Sequence, residues 1–148
     1  GALTVAVGDG PAAAEMRRSD PETHFTGMRR GDDLAAHYAS ADVMVSPSTT
    51  ETFGNVVLEA MSAGLPVITY DYAAGAQLVT AESGAPVPFD DAVRFLGATE
   101  AFARRPVHEL RALGARARAV AEEQSWDAIV GRFVAELTAL RDGAPLDA

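Results

Sequence analysis

The stretch from Val43 to Ile68 constrains this chain more than any other, because it reads without interruption as strand, polar loop, helix and strand. Val43-Met44-Val45 is an apolar run, Ser46-Pro47-Ser48-Thr49-Thr50 is loop chemistry, and Val56, Val57, Leu58, Ala60 and Met61 make a nearly all-apolar helix. Thr52 is expected to cap that helix, which then starts at Gly54 or just before it, where a glycine permits close backbone approach. Gly64 and Pro66 end the helix and open the next strand. Strands alternating with helices imply a parallel sheet covered on both faces, so the expected fold class is α/β with a doubly wound parallel sheet.

The rest of the chain repeats the pattern. Leu3 to Val7 is a nearly all-apolar run that reads as a buried strand, feeding the turn Gly8-Asp9-Gly10-Pro11 and a helix with Pro11 at its first position. Thr23 to Thr26 is a second short strand, with Gly27-Met28-Arg29-Arg30 as the loop at its carboxyl end. Leu34, Tyr38 and Ala41 recur at helical spacing and lead into a strand from Asp42 to Ser46. Pro66 to Tyr70 is the next strand, followed by the loop Asp71-Tyr72-Ala73-Ala74-Gly75 and a short helix through Leu78. Gly84 to Pro88, with its prolines, reads as an edge strand. From Asp90 onward the pattern is helical. Val93, Leu96 and Phe102 mark one apolar face, and beyond Pro106 a second runs through Val107, Leu110, Leu113, Ala117 and Val120. Ser125 caps a last helix whose stripe is Trp126, Ile129, Val130, Phe133, Leu137 and Leu140, with Trp126 read as core.

At 148 residues this is one domain's worth of chain, long enough to bury a full core. A net charge of −9 argues against nucleic acid or an anionic membrane as the main partner of its surface, so an anionic ligand must be held locally. Without cysteine there is neither a disulfide framework nor a thiolate metal site. His24, His37 and His108 share no spacing that fits a metal or a proton relay and are read as structural or solvated. With no signal-peptide pattern and no apolar run of membrane-spanning length, a cytoplasmic protein is the expectation.

Two carboxylates carry the chemistry. Glu51 lies on the loop ahead of the helix, and Glu59 lies within it among apolar residues. A carboxylate buried on such a helix needs hydrogen-bond donors, and the vicinal diol of a ribose supplies two. The free N–H groups and positive dipole end at the helix start suit a phosphate. One helix can thus hold ribose and diphosphate together, with Glu51 reaching what lies beyond the phosphate. The alternative from spacing alone is that Glu59 faces solvent and Glu51 is a surface charge. Elsewhere, Gly8-x-Gly10-x-x-Ala13 fits a loose dinucleotide fingerprint with Arg29-Arg30 as a 2′-phosphate reader, but Pro11 removes an N–H from the turn that would cradle pyrophosphate.

Glu51 and Glu59, with seven residues between them, stand with Thr52-Phe53-Gly54 and with Ala60-Met61-Ser62-Ala63-Gly64-Leu65-Pro66-Val67. Together with Val7 to Pro11, Phe25-Thr26-Gly27, Ser40 to Val43 and Ser125-Trp126, they resemble the E-x7-E pattern of GT-B retaining glycosyltransferases of family 4. The resemblance implies a Rossmann-like, carboxyl-terminal domain spanning residues 1–148 that binds a nucleotide diphosphate sugar. Its implied donor-binding residues are Gly8, Gly10, Met28, Arg29, Glu51, Phe53, Gly54, Asn55 and Glu59. Of these, Met28 and Arg29 meet the nucleobase largely through main-chain groups, Glu59 binds the ribose, and Glu51 is the catalytic carboxylate that positions the sugar. Ala74-Gly75 keeps the family's small-residue loop, whereas Gln77 stands where a glutamate is common. No metal and no other cofactor are expected: the chain has no Asp-x-Asp, and basic side chains and helix N–H groups are to meet the diphosphate charge.

The resemblance also implies partners outside these residues. An amino-terminal domain would supply the acceptor, with membrane contact only if that acceptor is a lipid, and a first strand and loop would carry an Arg and a Lys for the diphosphate. Without them these residues are expected to bind donor poorly and to be inactive alone. In a sheet of order 3-2-1-4-5-6 the first strand is central, so Leu3 to Val7 is expected either to pair directly with Val43 to Ser46 or to leave a groove that other residues or another chain fill. The other function class left open is a non-enzymatic nucleotide-binding or interaction module of the same fold.

Overall fold

The computed structural model describes residues 2–141. Five strands and seven helices follow one another as β1 (Val5–Val7), α1 (Ala13–Ser19), β2 (His24–Gly27), α2 (Gly31–Ser40), β3 (Met44–Ser46), α3 (Asn55–Ser62), β4 (Val67–Tyr70), α4 (Ala74–Leu78), β5 (Gly84–Val87), α5 (Ala92–Ala103), α6 (Val107–Glu122) and α7 (Trp126–Arg141). Every pair of these strands runs parallel, with Val5 opposite His24, Met44 opposite Val67, and Val67 opposite Gly84. No helix among the described residues is long and apolar enough to cross a membrane.

β4 is the centre of the core, buried at all four positions. Because successive side chains of a strand point to opposite faces, Val67 and Ile68 enter different clusters. Val67 joins Val57, Ala60 and Met61 of α3, Leu78 of α4, and Ala117 and Ala121 of α6. Ile68 joins Tyr70, Val87, Phe95 and Phe102, with Leu110 and Leu113 of α6. The sheet around β4 is therefore covered on both faces, as a doubly wound arrangement requires. β5 lies at the edge, where its proline is tolerated.

α3 buries positions 57, 60 and 61, the i, i+3, i+4 stripe of an amphipathic helix. Its end is a Schellman motif: the Leu65 N–H reaches the Ala60 carbonyl at 3.0 Å and the Gly64 N–H reaches that of Met61 at 2.9 Å. α6 crosses this end so closely that Gly114 lies against the carbonyl of Gly64, leaving no room there for a β-carbon.

Several expectations need correction. The sheet is divided into β1-β2 and β3-β4-β5, so of the two arrangements expected for Leu3 to Val7, direct pairing with β3 is not the one formed. Having β2 alone beside it, β1 is not buried, and Val5 and Val7 are exposed. Pro11 sits in the turn, and α1 starts two residues later with Ala12 before it. On α5 the inward residues are Phe95 and Phe102, while Val93 and Leu96 face out. Val93 and Phe95 are about 200° apart around a helix, so only one of them can face the sheet. Phe95 wins because its ring packs on Tyr70 at 4.8 Å between centroids, burying more apolar surface than a valine can. Trp126 is 80% exposed rather than core, on a helix whose whole stripe lies open. The Ser125 cap is present, its hydroxyl accepting from the Ala128 N–H at 3.3 Å.

Gly114→Ala should destabilise the fold by about 3 kcal/mol, the upper end for overpacking, because α6 must retreat from a backbone carbonyl. Gly97→Ala is its control: the new methyl on α5 meets nothing within 4 Å, and stability should rise by about 0.5–1 kcal/mol. Urea denaturation of the two variants checks the contrast.

Candidate functional site

Parallel strands deliver their following loops to their carboxyl ends, and most of the residues singled out above lie on such loops. At the ends of β1 and β2, the Gly8 N–H donates to the Gly27 carbonyl at 2.9 Å, and the Gly10 N–H is held by the Asp9 carboxylate at 2.9 Å. Met28 and Arg29 follow directly. Met28 is exposed, and the Arg29 guanidinium pairs with Asp33 at 3.1 Å, one turn into α2, while its Nε is buried without a hydrogen-bond partner.

The β3–α3 loop is stitched to the β4–α4 turn. The Ala74 N–H donates to the Phe53 carbonyl at 2.7 Å, and the Tyr72 hydroxyl donates to the Glu51 carbonyl at 3.2 Å. Gly54, and not Thr52, occupies the N-cap position of α3: it takes φ 97°, ψ 54°, and no side chain caps the helix start. The left-handed turn at Gly54 starts the helix at Asn55 and leaves Thr52 three residues short of it. A β-carbon on Gly54 would stand 3.3 Å from that of Ala74, so conformation and space both select glycine. The uncapped start suits an anion, since the first N–H groups of a helix have no partners within it.

Glu59 is not buried. Val57, Ala60 and Met61 take the core face of α3, and Glu59 looks instead into a cleft of about 640 Å³ between α2 and α3. Gly31, Leu34, Ala35 and Tyr38 line it from α2, and Asn55, Leu58, Glu59 and Ser62 from α3. The Tyr38 hydroxyl donates to Glu59 Oε2 at 3.1 Å. Burial first, then that hydrogen bond and the Glu59 charge, push the Tyr38 phenol up to about 12, so it remains a proton donor throughout the neutral range. Of the nine expected donor residues, Asn55 and Glu59 line this cleft; Glu51, Phe53 and Gly54 lie on the β3–α3 loop just ahead of α3, and Gly8, Gly10, Met28 and Arg29 lie on the loops that follow β1 and β2. Sequence reasoning missed Tyr38, which it read only as part of an apolar face. Its partner is 21 residues away, and no local pattern connects them.

A parallel α/β unit with its polar loops at the carboxyl ends of the strands is a Rossmann-like arrangement. Residues 2–105 match the family described as Glycosyl transferases group 1, and the chain belongs to that family. It is 36% identical over 138 residues to the GDP-mannose-dependent alpha-mannosyltransferase of Mycobacterium tuberculosis, covering 93% of this chain and 36% of that protein. Among solved structures it is similar to sucrose-phosphate synthase from Thermosynechococcus elongatus, with 29% identity and a TM-score of 0.72 over 92% of this chain and 38% of that one. The fold also matches HepE of Anabaena in complex with UDP and glucose, at 22% identity and a TM-score of 0.72, over 93% of this chain and 40% of that one. The chain thus spans well under half the length of these proteins.

Beside the site, Ala73 is held at φ 49°, ψ −128°, a conformation that glycine adopts freely and alanine does not. Ala73→Gly should stabilise the fold by about 1 kcal/mol, the released strain exceeding the extra chain entropy that glycine loses on folding. A lower midpoint in thermal or urea unfolding would show that the turn carries no strain.

Proposed function

We propose that this chain is the donor-binding half of a retaining glycosyltransferase, which transfers a sugar from a nucleotide diphosphate sugar to an acceptor held by the rest of the protein. The observation that carries the reading is the pairing, on one helix, of an uncapped N-terminus with a carboxylate facing a cleft. The diphosphate lies at the N–H groups that open α3, and the ribose hydroxyls donate to Glu59. The relative named for GDP-mannose dependence and the fold neighbour seen with UDP and glucose both support a nucleotide-sugar donor. Glu51, one loop ahead of the helix, contacts the donor sugar and supports positive charge as the bond to the diphosphate breaks.

Glu59→Gln in the full-length protein should weaken nucleoside diphosphate binding by about 1.5–3 kcal/mol, the loss of a charge-assisted hydrogen-bond pair. Calorimetric titration measures it, and unchanged affinity would remove Glu59 from the site. Glu51→Ala should slow transfer far more than it weakens binding of the bare nucleoside diphosphate; equal losses would move Glu51 to the nucleotide. We also propose that transfer needs no metal ion, helix N–H groups and basic side chains taking the role that a divalent cation has elsewhere. Activity should therefore survive a chelator, and loss with rescue by magnesium would refute that part.

A further inference from the structure

Tyr38 bridges two elements that the proposed site needs in register. Its ring packs against the cluster formed by α3, α4 and α6, which holds the hydroxyl in place, and that hydroxyl meets Glu59 at 3.1 Å. Glu59 is exposed on its helix, and a glutamate in that position is free to turn about three side-chain bonds unless something fixes it. A carboxylate has about four lone-pair positions on its two oxygens. One hydroxyl on Oε2 therefore holds the carboxylate without filling it and leaves room for two further donors. α2 begins at Gly31, directly after the Met28–Arg30 loop, so the same helix that carries Tyr38 also carries the loop at the end of β2.

We propose that Tyr38 is a positioning residue for Glu59, holding its carboxylate toward the cleft so that both hydroxyls of a ribose diol meet it. The inference rests on the reading of Glu59 as the ribose ligand. Tyr38 does not itself touch the nucleotide; it makes ribose recognition less costly by fixing in advance a side chain that would otherwise be ordered on binding. The phenol, pushed up to about 12, keeps its proton throughout the neutral range.

The test uses UDP and GDP with their 2′-deoxy counterparts, titrated calorimetrically against the full-length protein. For the base that binds, the wild type should prefer the ribonucleotide over its deoxy form. Tyr38→Phe, which keeps the ring and its packing, should weaken ribonucleotide binding roughly threefold to tenfold, the effect of one net hydrogen bond, and weaken the deoxynucleotide, which keeps only its 3′-hydroxyl, by clearly less. In a Glu59→Gln background the same substitution should have no further effect. Equal weakening of both nucleotides, or an undiminished Tyr38→Phe effect in that background, would make Tyr38 a packing residue and overturn the proposal alone. A wild type that does not distinguish ribose from deoxyribose would overturn the ribose reading of Glu59 and this proposal with it.

Discussion

Burial of β4 on both faces is the constraint on which the rest of this structure depends. A strand with covered faces and paired edges has no water to satisfy its backbone, so its N–H and C=O groups must be taken up by neighbouring strands. β3 and β5 supply those bonds, and helices must then seal both faces. Val67 and Ile68 divide the core between α3, α4 and α6 on one side and α5 on the other. α6 reaches both clusters, which ties the two layers together.

The site is a consequence of that arrangement. With Val57, Ala60 and Met61 locked into the core, the rotation of α3 about its axis is set, and Glu59 can only face away from the sheet. The Schellman end of α3 and its close contact with α6 set the helix along its length as well. At the other end, Gly54 brings the β3–α3 loop against Ala74, and hydrogen bonds from Ala74 and Tyr72 hold it there. An exposed carboxylate and an uncapped helix start are thereby placed by a rigid scaffold, while the groups themselves stay open to a ligand.

The parts outside this core behave differently. β1 and β2 form their own pair, and the apolar residues of β1 and α7 lie open among the described residues. The proteins this chain matches are more than twice its length, and its buried core lies within the segment from β3 through α6. Tyr38 links the two regions: it belongs to α2, which follows the β1-β2 unit, and it packs on the α3 cluster.

The local order of strand, loop and helix was legible in the sequence because it rests on periodicity and on breakers such as Gly64, Pro66 and Pro106, whose effects act within a few residues. The pairing of Glu51 with Glu59 and the family it points to were legible for the same reason, both lying within one short segment. What the sequence left undetermined depends on contacts between distant segments. Thr52 had the chemistry of a cap, but the loop's hydrogen bonds to the next turn moved the N-cap position to Gly54. Val93 was read as an inward position of α5, and packing on Tyr70, three elements earlier in the chain, selected Phe95 instead. The sequence left open whether Glu59 was buried or faced solvent; three other residues of its helix fill the core, and Glu59 is exposed. Its hydroxyl partner lay 21 residues upstream. Periodicity reports which residues can be buried together, but burial itself is a property of the surface that receives them, and that surface exists only once the chain has folded.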